Sequence, residues 1–366
     1  MLGDGVYTVI ATDRGGVTKL GEITQLTGLQ FDRLGDDTSN CTLTVNGPSI
    51  DCCVLLGDLR TGRHELVVYR NGHRVWEGPI TRLGYRPGRV EIDARDITWY
   101  MSRRALEVGI DYTGTAYPAI TMLYDLVLAH YPLTGDPFNV GRFVARIEGP
   151  DDARTAAKYR AYTRTLFNLL EQYAARGGID YTVNGRRLIL VDAQTRGHVL
   201  PKLTDSHLSG SVNVTEYGQE LKTRSYISNN ETTYTVAVAP QEWVDYYGFI
   251  DFIDSSVDEG DGSPDAEDLV ALEEVAQRTL RIGFPAPVRL WIPDDSRLDP
   301  CYEAEFDQLQ ANAWVPVQSL NTCRRLSQWQ KVQKVSVDWT PDGESVGLTL
   351  KKAPNVMVEP VRTVTP

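Results

Sequence analysis

The sequence predicts a mixed, mainly β fold: a β domain, an α/β insert, and a second β domain that carries one helix. Three observations point there. Short runs rich in β-branched and aromatic residues, bounded by Gly, Asn and Pro, fill the first hundred residues and return after residue 201. Helical spacing of apolar residues is confined to the middle and to one later stretch. The length of 366 residues exceeds what one ordinary core fills, so two or three domains are expected.

Residues 1–105 form the first β domain. CTLTVNG, HELVVYR and RVWEGPI read as strands, and Asn71-Gly72 between two of them suits the positive φ angles of a type I′ hairpin. Pro87-Gly88 marks another turn, and RVEIDARD alternates with period two at Val90, Ile92 and Ala94.

Residues 106–200 mix helix and strand. Pro118 opens a helix near 118–130, with Ile120, Leu123 and Val127 on one face. A second helix, near 163–177, takes Thr163 as N-cap. Its apolar positions are Leu166, Leu169, Leu170 and Tyr173, and Gly177-Gly178 ends it. A hairpin over 179–192 turns at Asn184-Gly185.

Residues 201–355 form the second β domain. SGSVNVTEY, LKTRSYIS and TTYTVAVA precede an acidic loop over 254–268. A helix over 264–281 follows, with Ser263 as N-cap and Leu269, Leu272, Ala276 and Leu280 as its buried stripe. PVRLWIP, WVPVQSL, KVQKVSVDW and SVGLTLKK are further strands, and residues 356–366 read as an extended tail.

Composition narrows the function. Hydrophobic residues make up 42% and charged residues 23%, as in globular proteins. The net charge of −12 argues against a nucleic-acid-binding surface, which needs clustered Lys and Arg. It suits solubility, or a surface that lets DNA pass without holding it. The five cysteines, Cys41, Cys52, Cys53, Cys301 and Cys323, contain no CxxC and form no disulfide framework, which predicts folding in a reducing cytoplasm. The N-terminal residues lack the basic-then-apolar order of a signal peptide, and Ala119–Ala129 is too short to cross a bilayer, so no membrane segment is expected. The Asn-x-Thr triplets at Asn40, Asn213 and Asn230 are then chance.

Signals for catalysis are thin. Gly343-Glu344-Ser345-Val346-Gly347 fits G-x-S-x-G, but Pro341, Asp342 and Gly343 make a turn, Leu348-Thr349-Leu350 follows as strand, and no His lies beyond His207. His64, His73, His130, His198 and His207 lack zinc-binding spacing; His64 and His73 flank the Asn71 hairpin, where they could face each other. The acidic loop lacks the EF-hand order. Asp245, Asp251 and Asp254, among Trp243, Tyr246, Tyr247, Phe249 and Phe252, would suit a sugar site; the same aromatics serve equally as core or subunit contact. No catalytic, cofactor or metal residue is expected.

Two stretches carry a resemblance. Val67–Leu106, VVYRNGHRVWEGPITRLGYRPGRVEIDARDITWYMSRRAL, resembles the N-terminal β-barrel of phage minor tail proteins, especially of siphophages infecting actinobacteria. Thr163–Asp192, TRTLFNLLEQYAARGGIDYTVNGRRLILVD, resembles the helix-then-hairpin unit of tail hub and late-control proteins. Together they span under a quarter of the chain. The resemblance implies two hub-type β-barrels and a homotrimeric ring at a tail tip, set in the virion between the tail tube and the receptor-binding apparatus. It implies as partners a distal tail protein, a tape-measure protein and receptor-binding or fibre proteins, with genomic DNA passing unbound. Domains for lysis or fibre attachment are then expected on other proteins. The aromatics Trp243, Tyr246, Tyr247, Phe249 and Phe252 are the candidate subunit contact. A carbohydrate-active enzyme or carbohydrate-binding β protein is the rival reading, and a secretion-system hub shares the same plan.

Overall fold

The computed structural model describes residues 2, 5–112, 117–131, 144–148, 154–155, 158–193, 195–216, 218–229, 233–255, 266–283, 288–294, 296–323, 325–351 and 358–359. Seven strands open the chain: β1 (Tyr7–Thr12), β2 (Lys19–Ile23), β3 (Leu26–Leu34), β4 (Asn40–Asn46), β5 (Glu65–Arg70), β6 (His73–Arg86) and β7 (Arg89–Arg95). Alternation decides their faces. Cys41, Leu43 and Val45 of β4, and Val90, Ile92 and Ala94 of β7, all point into the core as the period-two pattern requires. Asn71 and Gly72 both have positive φ (50° and 80°) and join Arg70 to His73, the geometry of a type I′ turn. A helix not expected from the sequence, α1 (Ile50–Asp58), follows β4; the Ser49 hydroxyl accepts the Cys52 N–H as its N-cap.

Strand β6 is 14 residues long and belongs to two neighbours. Its first half pairs with β5, its second with β7, with one register shift near the Asn71-Gly72 turn, between Val68 and Tyr69, and another just past the crossing, between Ile80 and Arg82. Gly78 sits at this crossing: a Cβ there would lie 1.8 Å from the Arg95 carbonyl oxygen, so only glycine lets the two backbones approach.

The middle of the chain builds its own layer. It contains α2 (Thr98–Met101), β8 (Ile110–Asp111), β9 (Tyr117–Pro118), α3 (Ala119–His130), β10 (Val144–Glu148), β11 (Arg154–Thr155), β12 (Lys158–Tyr159), α4 (Leu166–Arg176), β13 (Ile179–Asn184) and β14 (Arg187–Asp192). The expected inward faces hold: Ile120, Leu123 and Val127 of α3, and Leu166, Leu169, Leu170 and Tyr173 of α4, are buried. The caps move slightly. Pro118 is the cap of α3 rather than its first residue, and α4 is capped by Thr165, whose side chain forms a capping box with Asn168. Gly177, at φ 79°, ends α4 as expected. The hairpin turn is Gly185-Arg186 rather than Asn184-Gly185, because Asn184 pairs with Arg187; Gly185 supplies the positive φ at the first central position.

The rest comprises β15 (Leu203–Thr204), β16 (Asn213–Glu216), β17 (Arg224–Asn229), β18 (Thr233–Val238), α5 (Gln241–Tyr247), β19 (Asp251–Asp254), α6 (Ala266–Gly283), β20 (Val288–Trp291), β21 (Trp314–Ser319), β22 (Leu326–Thr340), β23 (Gly343–Lys351) and β24 (Val358–Glu359). Residues 256–265, which hold most of the expected acidic loop and the expected Ser263 cap, lie outside the described residues. So does most of the expected tail; Val358–Glu359 of it pairs with Ser327–Gln328.

The long-range pairing departs from the expectation. Strand β22 lies antiparallel to β3, from Lys334 opposite Leu34 to Trp339 opposite Leu29. The two halves of the chain thereby share one large sheet of order β15-β21-β22-β3-β4-β7-β6-β5-β1-β2, with β23 and β24 also on β22. The path stays open at β2 and β15, and no closed barrel forms among the described strands. Alternation and turn chemistry dictate faces and neighbouring hairpins, but not which distant strand takes a free edge. Strands β18-β17-β19 form a separate sheet with α6 against one face, and β16 and β20 pair alone.

Candidate subunit-contact site

The five aromatics singled out in the sequence lie on α5, on β19 and on the turn between them. Pro240 starts α5, and Gly248, at φ 76°, reverses the chain after it. The buried Thr223 fixes that reversal: its hydroxyl donates to the Gly248 carbonyl (2.9 Å) and accepts the Ile250 N–H (2.7 Å). Val244 is the buried residue of α5. Trp243 and Tyr247, one turn apart, are half-buried and stack in parallel with centroids 5.7 Å apart. Tyr246 meets Tyr247 edge-on at 4.7 Å and is 77% exposed.

Phe249 is 62% exposed and lies beneath the Arg224 guanidinium, 3.8 Å from its centroid. Arg224 donates from both sides of its fork to Asp251, at 2.6 and 2.8 Å. Phe252 turns the other way. It packs against the core formed by Ile227, Ala237, Ala239, Val244, Leu272, Ala276 and Leu280, with the Lys222 ammonium 3.8 Å above its ring. Two of the five, Tyr246 and Phe249, are thus displayed outward.

The sequence reading missed their neighbours. On the sheet face away from α6, Val238, Arg224 and Asp251 are cross-strand partners, and so are Val236, Tyr226 and Ile253. Val236, Val238 and Ile253 are exposed, Ile253 at 73%. The signal was present in TYTVAVA. Small Ala237 and Ala239 alternate with larger valines, and close packing of α6 favours the small residues inward, so the valines face out. An apolar, aromatic-rimmed patch with one internally neutralised ion pair is equipped to bury surface against another protein.

Acid–base chemistry has little footing there. Asp251 is held by Arg224, and Asp245 accepts the Gln241 amide at 2.7 Å. Among the described residues, no group of three or more His, Cys, Asp or Glu is placed to hold a metal ion. The G-x-S-x-G stretch is the β22–β23 hairpin: Thr340 pairs with Gly343, and Ser345 lies opposite Asp338 on a strand rather than on an elbow. His64 and His73 do not face each other; His73 is opposite Arg70, while the His64 carbonyl accepts the Ile80 N–H. His130 is buried, accepting the Glu107 N–H through Nε2 at 2.9 Å. Among the described residues, no helix is long and apolar enough to cross a membrane.

No protein-family model matches the sequence, and no curated protein matches it either. Solved structures do. The 43 kDa tail protein of prophage MuSo2 from Shewanella oneidensis superposes with a TM-score of 0.60 at 11% identity, covering 96% of this chain and 100% of that one. The prophage tail protein gp18 of Listeria monocytogenes gives 0.59 at 11% identity, over 94% and 95% of the two chains. A tail protein from Neisseria meningitidis MC58 gives 0.58 at 12% identity, over 95% and 97%. Across nearly its whole length, this chain has the fold of phage tail proteins.

Proposed function

We propose that this chain is a structural, non-enzymatic protein of a phage tail: the central hub of a long non-contractile tail tip, of the kind found in siphophages of actinobacteria. The fold shared end to end with three tail proteins carries this reading. In it, the chain closes with two further copies into a ring joining the tail tube to the receptor-binding or fibre apparatus. A distal tail protein and a tape-measure protein adjoin it, and genomic DNA passes through the ring without specific binding. In this reading the parts are 1–105, 106–200 and 201–355, the first and last joined in one sheet through β3 and β22, and the patch around Tyr246 and Phe249 serves as part of the heterologous contact that cyclic closure requires. The net charge of −12 favours passage of DNA past the ring wall.

A density map of purified tail tips tests this reading. Three copies around the tail axis, with the Tyr246–Phe249 patch against a neighbouring subunit, is the expected result. Six copies, one copy, or a channel lined mainly by Lys and Arg would overturn it.

A further inference from the structure

The buried apolar side chains fall into separate cores. One spans the large sheet, from Leu2 to Leu348, and a second runs from Ile97 to Leu190 and belongs to the α/β layer. Apart from Val67 and Trp314, which are buried but belong to neither core, the seam between these two is polar, and it closes around two ion clusters in which Glu65, Glu77, Asp180 and Lys331 are buried.

At one end, Arg186 on the tip of the β13–β14 hairpin enters the N-terminal sheet. Its Nη2 donates to both oxygens of Glu65, at 2.8 and 2.7 Å, and its Nε lies 2.8 Å from Glu77. The Tyr100 hydroxyl donates to Glu65 at 2.7 Å, and Arg74 holds the other Glu77 oxygen at 2.8 Å. At the other end, Lys351 reaches Asp36 at 2.5 Å and Asp180 at 3.5 Å, while Lys331 pairs with Asp180 and donates to the Ala193 carbonyl. Backbone joins in: Tyr181 N–H donates to Asp36 Oδ1 at 2.8 Å, Asp36 N–H to the Tyr181 carbonyl at 2.9 Å, and the Thr182 hydroxyl to the Leu34 carbonyl at 3.0 Å. Asn312 donates to the Tyr181 carbonyl at 2.8 Å. From α6, Arg278 lies against Gly177 and adds a positive charge near Asp180 and Asp36.

Such a seam fixes orientation more than it adds cohesion. Hydrogen bonds and ion pairs exchanged for water return little net free energy, whereas a shared apolar core would resist separation. Polar interfaces between the parts of one chain permit relative motion. The chain crosses this seam at two places, Asp96–Ile97 and the segment from Ala193 to Leu200.

We propose that the described residues between Ile97 and Ala193 form a hinged unit that undocks from the large sheet as a body. Both cores stay intact, while the Glu65–Glu77–Arg186 and Asp36–Asp180–Lys331–Lys351 clusters exchange their partners for water. In a tail component, such a unit can change its exposed surface without unfolding.

Residue-resolved amide hydrogen exchange of the full chain at neutral pH tests it. The Tyr181 and Asp36 amides, whose bonds cross the seam, are expected to exchange roughly tenfold or more faster than helix amides of α4 and ladder amides of β4 and β7. Arg186→Met should accelerate the seam amides further and leave both sets of core amides unchanged; Glu77→Gln, a milder change, should do the same to a smaller degree. Seam amides as slow as both cores in the wild type would overturn the proposal. So would either variant accelerating cores and seam alike, since the two layers would then open only by global unfolding.

Discussion

Arg70 and Glu344, 274 residues apart in sequence, form a buried ion pair: Arg70 Nη2 donates to Glu344 Oε2 at 2.8 Å, with side chains 7% and 0% exposed. The same carboxylate accepts the Gly5 N–H at 2.8 Å and the Tyr7 hydroxyl at 2.9 Å. The Arg70 guanidinium also lies over Phe306, 4.4 Å from its centroid. One side chain of the last hairpin therefore closes the first strands onto the C-terminal half. Removing it leaves Arg70 buried without its carboxylate, so Glu344→Ala should cost about 3–5 kcal/mol of stability. Chemical denaturation reads this directly, and a loss under about 1 kcal/mol, the range of exposed pairs, would contradict the assignment.

The neighbouring residue carries the opposite expectation. Ser345 sits on β23 opposite Asp338, with no elbow to activate it. Ser345→Ala should leave fold and stability within about 0.5 kcal/mol, as for a side chain outside any buried network. No ester or peptidoglycan hydrolysis should be measurable in either form. A hydrolytic rate that disappears in the variant would refute the structural reading of this motif.

Stability should rise on mild acidification. Burial pushes Glu77 up to about 6, against the lowering pull of Arg186 and Arg74, and burial pushes Asp96 up to about 6, against hydrogen bonds from Thr98 and Ser39. Both folded-state values exceed the unfolded ones. The folded state therefore binds more protons, and its extra stability is fully present below the unfolded value and lost as pH rises through about 6. Asp32 and Asp36 are raised by burial too and act in the same direction. Between pH 7 and pH 5 the gain is on the order of 1 kcal/mol for each of Glu77 and Asp96. Denaturant midpoints across this range should climb as pH falls, and Glu77→Gln with Asp96→Asn should flatten the slope. A midpoint that falls over the same interval would reverse the sign argued here.

What the sequence made legible follows from the range of each physical signal. Faces of β4 and β7, the buried stripes of α3 and α4, and the Asn71-Gly72 turn were readable, because alternation, helical spacing and positive φ are local. Helix α1 was not: it is short and its central CCVLL run is apolar throughout, so it shows no period, and only Ser49 hints at its start. The pairing of β22 with β3, and with it the single large sheet that joins both halves among the described strands, depends on contacts some 300 residues apart. Buried Glu65, Glu77, Asp180 and Lys331 look like ordinary surface charges in sequence, since nothing local announces a partner in another layer. At the candidate contact, aromatic richness pointed to the right segment but not to direction: Tyr246 and Phe249 face out, whereas Phe252 faces α6.

That difference in direction separates two classes of substitution in the same segment. Tyr246→Ser and Phe249→Ser remove exposed rings, so the isolated chain should keep its stability to within about 0.5 kcal/mol. Phe252→Ser removes a partly buried ring packed on the small core with Leu272 and Ala276 and should destabilise by about 1–2 kcal/mol. If the patch is a subunit contact, the first pair should weaken assembly into tail tips while leaving the monomer's unfolding curve in place, because truncating interface aromatics costs roughly 2 kcal/mol or more in binding. Native mass spectrometry of tail tips rebuilt with each variant, beside denaturation of the free chains, distinguishes the effects. Normal assembly with both Tyr246→Ser and Phe249→Ser present would remove this patch from the contact and leave the fold assignment untouched.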